Sequence, residues 1–109
     1  MPREIRRRYI LAKIECEGEF DEAGFSDAVW TNILKLFGEY GASQTELGII
    51  EFDLETKQAI LRCSHKALDL VKASLASITK IKNERASVHL QLVSGTLKAL
   101  RRKAQRAAK

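Results

Sequence analysis

Lys98, Arg101, Arg102, Lys103, Arg106 and Lys109 crowd the last twelve residues of this chain, with no acid among them. Near the other end, Arg3, Arg6, Arg7, Arg8 and Lys13 stand against the single acid Glu4. The 84 residues between hold eight bases and thirteen acids, so the net charge of +5 belongs to the two ends. Ammonium and guanidinium groups at this density do electrostatic chemistry: they neutralise phosphates and release the counterions those phosphates held. A solvated helix face ordinarily mixes both signs, and this tail does not.

No other residue set points to a reaction. His65 follows a helix-capping serine, and His89 lies between Val88 and Leu90, neither with a cysteine or acid at ligand spacing. Glu51 and Asp53 read as surface acids beside a turn rather than as a metal pair. Cys16 and Cys63 lack a Cys-x-x-Cys spacing and read as small buried hydrophobes. Asn32 and Asn83 could serve a small phosphatase, but no Gly-rich loop accompanies an arginine. No catalytic residue, metal site or bound cofactor is expected in the chain.

The elements that must position the two basic runs follow from periodicity. "RYILAKIEC" alternates, putting Ile10, Ala12, Ile14 and Cys16 on one face and Tyr9, Leu11, Lys13 and Glu15 on the other. "SDAVWTNILKLFGEYG" reads as a helix capped by Ser26, or starting earlier near Asp21, with Val29, Ile33, Leu36, Phe37 and Tyr40 inward and Gly41 as its stop. "ELGIIEFD" and "KQAILRCS" form a hairpin. Ser64 caps a second helix, "HKALDLVKASLASITKI", burying Leu68, Val71, Leu75 and Ile78. "ASVHLQLVS" alternates, with Val88, Leu90 and Leu92 on one side, and a basic helix over about 96–108 closes the chain.

Strand, helix, strand, strand, helix, strand is the order of a ferredoxin-like α/β sandwich, here with an appended C-terminal helix, as one domain over 1–109. Its usual strand order, 4-1-3-2, makes the first and last strands antiparallel neighbours. The arm at 1–8 then lies beside the start of the last helix, and two distant basic runs become one patch. Cys16 and Cys63 fall at opposite ends of adjacent strands, too far apart for a disulfide. On the last helix, Leu97, Leu100, Ala104, Ala107 and Ala108 share one side, and the cations spread over the other. That apolar side has leucine and alanine but no Trp or Phe, so a membrane surface is the weaker partner and nucleic acid the stronger.

Arg6, Arg7, Arg8, Lys13, Lys98, Arg101, Arg102, Lys103 and Arg106 are therefore the candidate phosphate contacts. In "SGT", Gly95 lets the strand turn sharply into the helix, and Ser94 or Thr96 can cap it. The same helix start can also receive an anion, and both roles stay open. Tyr9 is the candidate for stacking on a base, packing being its alternative. Aromatics are missing from "AILRC", which disfavours the usual stacking mode of an RNA-recognition motif. A competing reading makes the chain a protein-assembly or regulatory ligand-binding domain with incidental basic termini, using an open sheet face with Tyr9, Leu11, Ile60 and His89 or Val93.

"RRRYILAKI", "LFGEYG", "IEFDLETKQAILRC", "LASITKI" and "LVSGTLKALRRK" occur in that order over roughly residues 6–103. Together they resemble the ribonuclease P protein component 2 family of archaea, which has a eukaryotic counterpart. Leu92, where a glycine is expected, and Ala99 and Ala104, where a basic or aromatic residue is common, depart from it. The resemblance implies an RNA-binding subunit of the ribonucleoprotein that removes 5′ leaders from precursor tRNA, in which the RNA holds the catalytic magnesium. It implies pairing with protein component 3, as a two-plus-two heterotetramer around a central dimer of component 2, and the open sheet face or the first helix is the expected pairing surface. It also implies a cytoplasmic location, nuclear in a eukaryote.

Overall fold

A computed structural model describes residues 6–107 of the chain. Arg3, Ala108 and Lys109, counted in the basic runs and the last helix, lie outside the described residues. β1 (Arg7–Cys16) is the central strand of a five-stranded antiparallel sheet ordered β2-β3-β1-β5-β4. β2 (Gly48–Asp53) and β3 (Gln58–Ser64) form the expected hairpin, and β5 (Glu84–Ser94) is the strand read as the fourth. The 4-1-3-2 order holds, with one short strand added at its edge.

The main core lies between one sheet face and two helices. From β1 come Ile10, Ala12 and Ile14; from β3, Ala59, Leu61 and Cys63. Helix α1 (Glu22–Ser43) contributes Phe25, Val29 and Ile33 at strict four-residue spacing, one stripe of its surface. Helix α2 (Leu68–Ala76), entered through a single 3-10 turn at His65–Ala67, adds Val71 and Leu75. Ser64 Oγ accepts from Ala67 N at 3.3 Å and so caps that turn, as expected. Burial pushes the Cys63 thiol up to about 11 against the opposing charge of Arg8, so it stays neutral and apolar in character.

Three boundaries differ from the periodic reading. Asp21, not Ser26, caps α1, accepting from Gly24 N at 2.8 Å. The helix also runs past Gly41 to Ser43, interrupted at Gly38, whose φ of 73° is a glycine conformation. The expected stripe fails beyond Ile33: Leu36, Phe37 and Tyr40 are 47%, 41% and 79% exposed. Gly41 is a close approach rather than a stop, since a Cβ there would lie 2.6 Å from Phe37 Cβ.

The second helix is shorter than its apolar period suggests. Ile78 and Ile81 are buried as a helical stripe would bury them, yet α2 ends at Ala76, and Lys80–Ile81 is strand β4, paired with Glu84 and Arg85. Lys82 and Asn83 both take positive φ, 51° and 66°, as a two-residue type I′ turn requires.

Lys82 then reaches Asp21, Nζ to Oδ2 at 3.0 Å, and joins this turn to the start of α1. The Gly24 amide first, and Lys82 second, hold the Asp21 carboxyl below its usual value of 3.8. A depressed carboxyl stabilises the fold above its unfolded value and loses that contribution as pH falls through the folded one. Asp21→Asn is therefore expected to lower the melting temperature slightly at neutral pH, with the gap to the parent closing below about pH 4. Paired melts across pH check this; a gap that persists undiminished in acid would contradict it.

Candidate nucleic-acid interface

Two irregularities build a seat on the second sheet face. In β5 the register shifts so that Leu92 pairs with Leu11 and Leu90 with Ala12, leaving Gln91 as an extra residue. In β2, Ile49 pairs with Leu61 and Glu51 with Ile60, leaving Ile50 extra. A β-bulge puts two successive side chains on one face. Leu92 therefore leaves the side of Val88 and Leu90, where the alternation had placed it, and joins Leu11 and Ile60. Val93 goes to the main core instead.

Helix α3 (Leu97–Ala107) occupies this seat. Leu100 is fully buried with Leu11 and Ile60, and Tyr9, Ile50, Leu92, Leu97 and Ala104 pack around them as a second core. The sheet face read as open is thus largely covered, which removes Leu11 and Ile60 from any protein-docking surface. Tyr9 is half-buried there in the packing role. Thr96 Oγ1 accepts from Ala99 N at 3.1 Å and is the cap, whereas Ser94 is buried at the end of β5, opposite Tyr9.

The seat divides the cations of α3 into two kinds. At 100° per residue, Arg101 and Lys103 flank the buried stripe on its two sides. Arg101 pairs with Glu51, an acid read earlier as a turn flank, and Lys103 Nζ donates to the Val93 carbonyl at 3.3 Å. Lys98, Arg102 and Arg106 face outward, all exposed, with no ion pair among the described residues. They stand at i, i+4 and i+8, a straight row with steps of about 6 Å. Their mutual repulsion disfavours the helix on its own. An anion laid along the row relieves it.

Residues 6–8, the described end of the amino-terminal arm, lie beside this helix, as the topology demands. Tyr9 pairs with Ser94, and a Cβ on Gly95 would lie 3.6 Å from Arg8 Nη1. Strand alternation sends Arg7 toward the α3 face and Arg8 toward the α1–α2 face, where it neighbours Cys63. Arg6 is tied to the edge through His65 N, which donates to its carbonyl at 2.7 Å. Lys13 does not join the cluster. It sits six residues further along β1, its Nζ donating to the Thr56 carbonyl at 3.1 Å.

Two cations that the reading of the sequence passed over do join it. Arg62 lies beside Tyr9 across the β1–β3 ladder, its Nε buried without a partner, and Lys66 is exposed next to the arm's anchor at His65. Strand alternation in "AILRC" was the available signal for Arg62, which shares a face with Ile60. No group of three His, Cys, Asp or Glu side chains suited to a metal occurs among the described residues. His89 stands 3.7 Å from Glu15 and 3.2 Å from Ser87 Oγ through the same ring nitrogen, which lacks the two-sided arrangement of a catalytic relay. No described helix is long and apolar enough to cross a membrane.

Comparison with known proteins places this geometry. The sequence profile of the Rpp14/Pop5 family matches residues 8–105. Ribonuclease P protein component 2 of Archaeoglobus fulgidus is 38% identical over 98 residues, covering 90% of this chain and 87% of that protein. The Pyrococcus furiosus protein of the same name is 33% identical, with 90% and 82% covered. Among solved structures, a chain of yeast ribonuclease MRP superposes with a TM-score of 0.70 at 12% identity, over 99% of this chain and 98% of that one.

Proposed function

The chain belongs to the Rpp14/Pop5 family, and we propose that it is an RNA-binding protein subunit of ribonuclease P, supporting the RNA that removes 5′ leaders from precursor tRNA. The observation that carries this reading is the outward row Lys98–Arg102–Arg106 on a helix whose other cations are spent on holding it to the sheet. Such a row meets phosphates and carries no base information by itself. Arg6, Arg7, Arg62 and Lys66 extend the Lys98 end of this row onto the end of the sheet where the arm enters.

In this role the chain supplies charge, and the RNA supplies the reaction. Cations beside closely packed phosphates lower their repulsion, and so lower the magnesium that the RNA needs to fold. The protein itself holds no catalytic residue and no cofactor; magnesium belongs to the RNA. Precursor tRNA is the substrate of the assembly, in the cytoplasm, or in the nucleus of a eukaryote.

The exposed apolar end of α1, with Leu36, Phe37 and Tyr40, favours a protein partner as well. We assign it to pairing with protein component 3 or with a second copy, within a two-plus-two heterotetramer. This absorbs the assembly-domain reading: of the two expected pairing surfaces, the sheet face is covered by α3 and the first helix keeps exposed apolar residues, while the basic ends remain the RNA surface.

Filter binding of the purified protein to ribonuclease P RNA tests the proposal. With about six phosphates met, affinity should fall on the order of a thousandfold between 50 and 200 mM salt. Reconstituted enzyme should also cleave precursor tRNA at lower magnesium with the protein than without it. Weak binding at both salt concentrations, with an unchanged magnesium dependence, would refute it.

A further inference from the structure

Beside the cation row, between the second half of α3 and the β2–β3 hairpin, lies a groove of about 560 Å³. Its floor is apolar, formed by the half-buried Leu92 and Ala104 with the buried Leu11, Ile60 and Leu100 beneath them, and its walls carry the amides of Gln58, Gln91 and Gln105. An apolar base with a few placed polar groups, at this volume, is the make-up of a small-ligand site. We propose that it receives one unstacked nucleobase of the RNA strand whose phosphates follow Lys98, Arg102 and Arg106. This inference rests on the RNA-binding reading above.

Charge decides which part of a nucleotide enters. Two carboxylates stand at the rim, and both are already engaged: Glu51 with Arg101, and Asp53 Oδ1 with the backbone N–H groups of Glu55 and Thr56. With Arg101 offsetting Glu51, the Asp53 carboxylate leaves the groove without positive charge to hold a phosphate, while Arg102 and Arg106 attract it to the outer face of the helix. The uncharged base is then the part left to fill the groove. Arg101 and Gln105, one turn apart on the flank of α3, line the groove between that outer row and the floor. A strand laid on the row needs only to turn a base down this flank.

The walls are built to read an edge. Gln58 Nε2 donates to Gln91 Oε1 at 3.0 Å. That bond ties the two amides together and leaves the Gln58 carbonyl oxygen and the Gln91 NH2 group, an acceptor and a donor, for a ligand. A nucleobase edge presents the complementary pattern, and RNA is read in this way where its bases are unstacked. Gln91 is the inserted residue of the β5 bulge, so the irregularity that seats Leu92 under α3 also delivers the amide. With no aromatic in the lining, selectivity comes from the edge rather than from stacking.

The test uses the full chain and single-stranded RNA 12-mers of A, C or U at two salt concentrations. One sequence should bind about tenfold more tightly than the weakest, the size of one good two-point base contact. In the double variant Gln58→Ala, Gln105→Ala, both exposed or half-exposed wall residues, that preference should vanish while the salt dependence stays as in the parent. A circular dichroism melt confirms that the variant is folded. Equal binding of the three sequences, or a preference that survives in the variant, overturns the groove assignment and leaves the RNA-binding reading standing. A survival of this kind would hand the groove to a protein side chain. Absence of salt-dependent binding to any RNA overturns both.

Discussion

Alanine at Lys98, Arg102 and Arg106 together is expected to weaken binding of structured RNA by roughly a hundredfold at low salt. Each lost charge-assisted contact at an exposed site costs about 1 kcal/mol, and three amount to about two decades in affinity. The slope of log affinity against log salt should shrink by about 2 to 3. Stability should hold or rise slightly, since the removed side chains repel one another at i, i+4 spacing. Binding isotherms over a salt series, with a thermal melt alongside, measure both. An unchanged slope would mean that the row does not meet phosphate. Glu51→Gln makes an informative contrast: it frees Arg101 from its partner without removing a cation from the outward row, and an exposed pair is worth about 1 kcal/mol or less.

Leu100→Ala should have the largest effect on the tail. Leu100 is fully buried, yet it belongs to a second core with only Leu11 and Ile60 as its other buried members. Truncating a buried leucine costs about 2–5 kcal/mol. A cluster this small cannot absorb that loss, so α3 is expected to leave the sheet while the main core around Phe25, Ile33 and Leu61 stays folded. Limited trypsin digestion should then cut within Leu97–Ala107 in the variant and spare it in the parent. RNA affinity should drop as far as in the triple alanine variant, although every cation is still present. Retained protection together with retained affinity would show that α3 is not held by this core.

Much of this arrangement was legible before any coordinates. The alternation of "RYILAKIEC", the β2–β3 hairpin and the order of elements determined which strands neighbour each other, and hence that the arm meets α3. What escaped has physical causes. A bulge leaves no mark in hydrophobic spacing, so alternation alone puts Leu92 on the wrong face and gives no sign that Glu51 anchors Arg101. The turn at Lys82–Asn83 lacks the Asn-Gly or Asp-Gly that announces a type I′ hairpin, and buried Ile78 and Ile81 kept the period of the preceding helix. Leu36, Phe37 and Tyr40 continue a helical stripe whose neighbour is missing among the described residues. Periodicity reports what a residue could cover, not whether anything lies opposite.

Because folding has already fixed α3 against the sheet, its basic row would, in the proposed role, meet an RNA as a pre-set comb. A loose polycationic tail surrenders chain entropy for every residue it immobilises on a polyanion, and that loss subtracts from each contact. Here Leu100, Arg101 and Lys103 have done the immobilising beforehand. The helix then sets the spacing from which the three side chains reach out, and in the proposed role RNA backbones that match this pitch would be favoured over those that must bend to it.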